Sequence, residues 1–196
     1  MSTLRKTTAE RKEEVVEASL DLIARLGIRG LTTARLAERV ELSEAALYRH
    51  FSSKVDIVRA TIETVGQQLM ETLVDSAANG TPSERLHRAL EAQLVFIERR
   101  PAMPRILFSD EIHFNEDTLR EQLYGVITEY KDYIVSLLSE GVAVGEFRDD
   151  LDVNAAAQAF LGLVQAQVLV WSLSEGQSVP RERVHQLWDT YWRGIR

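Results

Sequence analysis

The groups best able to do chemistry are concentrated between Leu31 and Lys54, in the run LTTARLAERVELSEAALYRHFSSK. Thr33 and Tyr48, beside Thr32, supply hydroxyls, His50 an imidazole N–H and Lys54 positive charge. Donors of this kind suit phosphate oxygens, which take most of the hydrogen bonds in protein–DNA interfaces and set register without reading sequence. Leu36, Ala37 and Val40 mark a short amphipathic helix begun by Thr32 or Thr33, and Ser43 can cap the next, whose apolar pair is Leu47 and Phe51. The pattern reads as helix, tight turn, helix. In a helix-turn-helix the second helix presents small or polar side chains to the major groove, and Ala45, Tyr48 and Arg49 share one face. Base edges then fall to Ser43, Glu44, Ala45, Ala46 and Arg49. Arg49 can pair with a guanine, and Ala45 or Ala46 can touch a thymine methyl. Glu44 has two readings, accepting from a cytosine amino group or simply repelling phosphate. Lys54 begins a long helix whose N-terminal dipole adds to the attraction for an anion.

These residues resemble the DNA-binding signature of the TetR-type bacterial transcription regulators. The likeness rests on Leu31-Thr32-Thr33, Leu36-Ala37, Leu47-Tyr48-Arg49-His50-Phe51 and Ser53-Lys54, and it covers residues 8 to 56. It implies an all-α chain of about nine helices: a three-helix DNA-binding domain, residues 1–54, and a larger helical effector-binding and dimerisation domain, residues 55–196. One departure stands out, because the family usually has Gly in the turn where this chain has Glu41. A non-glycine residue in a left-handed conformation costs roughly 1 kcal/mol or slightly more. The run from Ser43 to Phe51 is especially similar to the nucleoid-occlusion division inhibitors within that family, and Glu98-Arg99, Pro101, Arg105-Ile106-Leu107 and Phe114 extend the likeness weakly.

Helical periodicity continues along the chain. A first helix spans about 8 to 26, with Gly27 as a left-handed stop. A fourth starts near Lys54 and breaks at Asn79-Gly80. Thr81-Pro82-Ser83-Glu84 then forms a capping box with proline at the first helical position. Pro101 and Pro104 permit a short sixth helix, Asn115 can cap a seventh that runs to Gly145, and Asp152 opens an eighth closed by Gly176. Val164 to Val168 alternates like a strand, but no second strand exists to pair with it, so helix is expected. A last helix begins near Pro180.

The resemblance implies that the last two long helices pair two protomers and that the preceding ones enclose an inducer. Independently, Phe160, Leu163, Gln167, Val170 and Trp171 with Leu187, Trp188, Tyr191 and Trp192 offer more large apolar surface than a peripheral helix pair could bury, which suits a homodimer interface. A small apolar effector could be lined by Leu69, Phe96, Ile106, Phe108, Phe114, Tyr124, Ile127 and Phe160, with His113, Tyr130 and Gln165 as polar groups.

The 196 residues carry 23 Lys plus Arg and 30 Asp plus Glu, a net charge of −7, which excludes a uniformly basic nucleic-acid coat. The charge is uneven. Residues 1–54 hold 10 basic and 8 acidic side chains (+2) and residues 55–196 hold 13 and 22 (−9), an asymmetry that suits one end meeting a polyanion. Arg5, Lys6, Arg11 and Lys12 read as a solvated tail before an arm along the minor groove. Without cysteine there is no disulfide, thiolate metal site or Cys nucleophile. Glycine-rich phosphate loops and nucleophile elbows are absent, and the four His, at 50, 87, 113 and 185, form no ligand-spaced pair, so an enzyme is not expected. Asp110, Glu111, His113 and Glu116 permit a metal, but an acidic loop is usually solvated; neither metal nor cofactor is expected. No stretch approaches the ~18 apolar residues of a membrane span, and the expected location is cytoplasmic, on the nucleoid when DNA-bound. The expected partners are a palindromic duplex operator, a second copy and the effector. The alternative function is a DNA-bound nucleoid-occlusion-like protein acting on a cell-division partner.

Overall fold

The computed structural model describes residues 6–174 and 177–196; Arg5 and the expected stop at Gly176 lie outside them. The described residues are all-helical. In chain order the helices are α1 (Thr8–Gly30), α2 (Thr33–Arg39), α3 (Glu44–Leu47), α4 (Lys54–Ser76), α5 (Pro82–Glu98), α6 (Ala102–Leu107), α7 (Asp117–Ala143), α8 (Val153–Leu173) and α9 (Val184–Ile195). A π-helical turn, Glu111–Asn115, precedes α7, and a 3-10 turn, Pro180–Arg183, precedes α9.

Side-chain chemistry explains most of the boundaries. Thr7 opens α1 with a full capping box to Glu10, and Thr81 repeats the device with Glu84 at α5, where Pro82 supplies a preset φ. Thr32, Ser43 and Asp152 accept from the backbone N–H groups of Arg35, Ala46, and Asn154 with Ala155. Gly27 interrupts α1 at φ 71°, so the periodic run does end where expected, and the residues to Gly30 form a separate short turn. The 164–168 segment is helical: Val164 and Val168 face inward with Phe160, one turn apart.

Asn115 does not cap α7. The chain takes a wide π-helical turn there, so Asn115 closes that turn and its amide donates to the Asp110 carbonyl at 3.4 Å, while Glu116 precedes the helix. The recognition helix is also shorter than its apolar pair suggests. After Leu47 the backbone tightens, with Arg49 N–H donating to the Ala46 carbonyl (3.2 Å) and His50 N–H to that of Leu47 (2.9 Å), which leaves Phe51 buried but beyond the helix.

Two compact units emerge from the packing. One comprises the residues up to Gly66 with Pro101–Tyr124; the other comprises Gln67–Arg100 and Gly125–Arg196. Helix α6 lies against α1 and carries the 101–124 segment into the first unit. In the second unit Phe160 is fully buried and meets Tyr191 edge-on at 5.5 Å, and the Tyr191 hydroxyl donates to the Ala156 carbonyl. Burial pushes the Tyr191 phenol well above the usual range, so it stays a neutral donor.

Helix α8 corrects the expectation about apolar length. Its 21 residues contain no charged side chain, reach a mean hydropathy of 1.4, and are long and apolar enough by composition to cross a membrane. Scattered Asn and Gln disguise this in a count of consecutive apolar residues. Only a third of that stretch is buried, and Leu169, Val170 and Leu173 stand exposed.

Candidate nucleic-acid interface

The turn between α2 and α3 closes as a Schellman motif. Leu42 N–H donates to the Ala37 carbonyl (2.8 Å) and Glu41 N–H to that of Glu38 (3.2 Å), with Glu41 in the left-handed region at φ 54°. Glycine would adopt this geometry without steric cost. Glu41→Gly should therefore stabilise the protein by about 0.5–1 kcal/mol, net of glycine's extra chain entropy. A rise of about 1–4 °C in the thermal midpoint would register it, and a fall would show that the Glu41 side chain holds the turn.

Leu36, Ala37, Val40, Leu47 and Phe51 are buried and anchor the two short helices. Thr32, Ser43, Glu44, Ala45, Tyr48 and Arg49 are exposed, whereas Thr33, Ala46, His50 and Lys54 are half-buried. All ten expected contacts thus sit on or beside one motif. Their hydrogen bonding separates their roles. Ser43 Oγ accepts from Ala46 N–H at 3.1 Å and Thr32 Oγ1 from Arg35 N–H at 3.3 Å, so both hydroxyls keep a proton to donate. Thr33 differs, because its hydroxyl donates to Glu44 Oε2 at 2.6 Å. The His50 Nδ1 is buried with no partner among the described residues, which leaves Nε2 as the nitrogen for an outside acceptor.

The local charges are mostly neutralised within the protein. Lys6 and Arg11 pair with Glu14 at 2.7 and 2.6 Å, and Lys12 lies 5.7 Å above the Phe51 ring. These three are therefore not a loose tail: the Thr7 cap starts the helix early enough to hold them on α1 or beside it. Arg25 and Arg39 share Asp21, Arg29 pairs with Glu111, and Arg35 donates to the Gly30 carbonyl. Among the described residues the Arg49 guanidinium and Lys54 ammonium have no such partner. Lys54 sits at the first turn of α4, whose start is capped by Ser53 Oγ accepting from Asp56 N–H at 3.0 Å. With the exposed hydroxyls of the motif, Lys54 can engage a phosphate and Arg49 is free to reach a base edge.

The residues expected around an effector divide by exposure. Leu69, Phe96, Ile106, Tyr130 and Phe160 are buried and Ile127 is half-buried. Phe108, His113, Phe114, Tyr124 and Gln165 are exposed and line no buried chamber. Phe114 lies in the π-helical turn, which turns its ring outward, and the neighbouring His113 ring bonds the Leu107 carbonyl at 2.8 Å. Gln165 lies on α8 beside its buried stripe and is exposed. The polar residue inside the second unit is Gln93, to whose side-chain oxygen the buried Tyr130 hydroxyl donates. Its signal was legible: Gln93 falls within the Leu86, Leu90, Leu94, Ile97 stripe of α5. Burial raises the Tyr130 phenol far above its ordinary range, so it too is a neutral donor. Asp110, Glu111, His113 and Glu116 form no metal-holding group; none occurs among the described residues.

Of the expected interface residues, Val170 is exposed and Leu163, Gln167, Trp171, Leu187 and Trp188 are half-buried. Tyr191 and Phe160 differ: both are buried, their rings meet edge-on, and the Tyr191 hydroxyl donates to the Ala156 carbonyl within the same protomer. The ring of Trp188 stacks on His87 at 4.9 Å, and His87 in turn lies 6.1 Å from His185. Burial holds the His87 imidazole below the usual histidine range, and its neighbour His185 adds to the effect. Nearly a hundred residues separate the two histidines in sequence, so only folding brings them together.

Comparison with known proteins gives two family matches. Residues 15–61 match the model described as bacterial regulatory proteins, tetR family, and residues 79–195 match that of the tetracyclin repressor-like C-terminal domain. The nucleoid occlusion factor SlmA of Vibrio atlanticus is 29% identical over 188 residues, covering 94% of this chain and 93% of the relative. Its namesake from Vibrio cholerae is 28% identical over 181 residues, covering 91% and 92%. Among solved structures, the regulator FadR from Bacillus subtilis in complex with stearoyl-CoA has a TM-score of 0.82 at 20% identity, covering 94% of this chain and 99% of that one. The fatty acid degradation regulator FadR from Bacillus halodurans reaches 0.86 at 17% identity, covering 99% of each chain. At such identities these structures establish likeness of fold.

Proposed function

Because this chain belongs to the TetR family of bacterial regulatory proteins, we propose that it is a homodimeric repressor of a palindromic operator. The family binds DNA and acts as dimers, and the chain is a DNA-binding transcriptional regulator. The observation that carries the finer reading is that Arg49 and Lys54, which follow α3, have no carboxylate, carbonyl or ring partner among the described residues and share the motif with the exposed Ser43, Ala45 and Tyr48. Residues 1–54 act as the reading head and 55–196 as the sensing and pairing body, and the protein works as a regulator without turnover. Tyr48, His50 and Lys54 take phosphates while Ser43, Ala45, Ala46 and Arg49 face base edges. Lys54→Ala should weaken binding about equally for all sequences and reduce the salt slope by about one unit. Tyr48→Ala, which removes an exposed phosphate donor, should likewise reduce affinity. Fluorescence anisotropy on an operator duplex, titrated with salt, measures both, and unchanged affinity in the two variants would sink this assignment.

Two linked half-sites require two copies. The uncharged face of α8, with Leu169, Val170 and Leu173 exposed, is the surface we assign to the partner protomer, together with Leu163, Gln167 and Trp171 and with Leu187 and Trp188 of α9. An apolar effector would enter the second unit near Phe160 and Phe96 and find a neutral polar handle in Gln93 and Tyr130. Its coupling to DNA release is typically ~1–3 kcal/mol. Acyl-chain compounds are the first to test, given the stearoyl-CoA named with the Bacillus subtilis regulator.

The similarity to nucleoid occlusion factors over nearly the whole chain favours a second reading, a DNA-bound protein that acts on a cell-division partner. Chromosomal binding sites decide between the two: many dispersed sites favour the second, and one or a few promoter sites favour the repressor.

A further inference from the structure

We propose that Glu44 is a specificity-determining residue that reads a cytosine, and that Thr33 serves to position it instead of holding a phosphate. The inference rests on the DNA-binding reading above and adds to it one base and one division of labour.

Thr33 Oγ1 and Glu44 Oε2 are 2.6 Å apart, and the bond joins α2 to the first residue of α3. A threonine hydroxyl has one proton, and here it is committed to the carboxylate, so Thr33 has none left for a phosphate oxygen. The carboxylate gains a fixed orientation. Glu44 is exposed at the start of the recognition helix, on the side from which Ser43 and Ala45 also project to solvent. With Oε2 held by Thr33 and the residue exposed, Oε1 remains as an acceptor for an outside donor.

An acceptor without a proton selects bases by their donors. In the major groove guanine shows N7 and O6 and thymine shows O4, all acceptors that repel a carboxylate, whereas cytosine N4 and adenine N6 donate. Adenine N6 lies between two acceptors, its own N7 and the thymine O4, which oppose the carboxylate; cytosine N4 has an acceptor, the guanine O6, on one side only. Cytosine is therefore preferred. The same argument explains why a negative side chain is tolerated at a DNA-facing position: anchored by Thr33, it meets a base donor and is kept from swinging toward the phosphates.

The test is selection of duplexes from a random library by the full-length wild type, Glu44→Gln, Thr33→Val and Thr33→Ser, each checked for helix content by circular dichroism. Wild type should enrich half-sites with a cytosine at one position, favoured about tenfold over other bases. Glutamine pairs with adenine N6 and N7, so Glu44→Gln should shift that position toward adenine and leave the others unchanged. Thr33→Val should relax the same position, and Thr33→Ser, which keeps the hydroxyl, should restore it. Two outcomes overturn the proposal while leaving sequence-specific binding intact: Glu44→Gln tightening every duplex alike, as removal of phosphate repulsion would, or Thr33→Val weakening every duplex alike, as loss of a phosphate contact would. Wild type enriching no sequence would overturn the DNA-binding reading and this inference with it.

Discussion

Val170→Asp is expected to convert the protein to a monomer and to lower affinity for a two-half-site operator by about 100-fold or more. Val170 is 47% exposed in the protomer and lies between Leu169 and Leu173, which are also exposed, on a helix with no charged residue from end to end. An aspartate there would carry its charge into an apolar interface, at a cost of several kcal/mol because no partner on α8 can neutralise it. Two protomers that no longer hold together lose the advantage of tethered half-sites, whose effective concentration is typically in the millimolar range. Sedimentation velocity reads the oligomeric state, and anisotropy on full and half operators reads the affinity. A dimer that persists, or full and half operators that lose affinity alike, would place the interface elsewhere.

Phe160→Ala should have the largest effect on stability, a loss of about 3–5 kcal/mol. The side chain is 0% exposed, sits one turn before Val164 on the buried stripe of α8, and packs edge-on against Tyr191 of α9 at 5.5 Å. Truncation leaves a cavity and removes an aromatic pair worth roughly 0.5–1.5 kcal/mol beyond its burial. Chemical denaturation followed by circular dichroism checks the figure; a loss below about 1 kcal/mol would mean that α8 and α9 repack around the gap. Phe160→Leu, which fills most of the volume, should recover much of the loss.

The boundaries that sequence could show were those marked by one chemical group acting locally. Thr81 with Pro82 and Glu84, Ser43, Asp152 and Gly27 each stop or start a helix through bonds to residues at most a few positions away, and each does so in the structure. Glu41 was legible for the same reason, since a left-handed turn demands either glycine or strain. Asn115 failed because a capping residue and a turn-closing residue look alike until the backbone chooses between them. The exposure of Phe108, Phe114, Tyr124 and Gln165 is not legible in sequence, because periodicity says which residues share a face and not which face is covered. An aromatic such as Tyr191 on an amphipathic helix suits either an interface or a core, and only the Ala156 carbonyl and the Phe160 ring show its place in the protomer. The Thr33–Glu44 bond and the His87–His185 pair arise from contacts between helices, and no spacing rule encodes them.

The net charge of −7 averages an acidic body with a slightly basic reading head. Its excess of +2 is too small to hold DNA by general attraction, and most of its cations are neutralised within the protein. Binding must therefore rest on a few placed groups repeated by symmetry. Selection from a random duplex library by the wild-type protein tests that claim most directly. The account predicts enrichment of an inverted repeat whose half-sites lie one helical turn, about 34–36 Å, apart. Enrichment of no sequence, or of a single unrepeated site bound by one protomer, would contradict it.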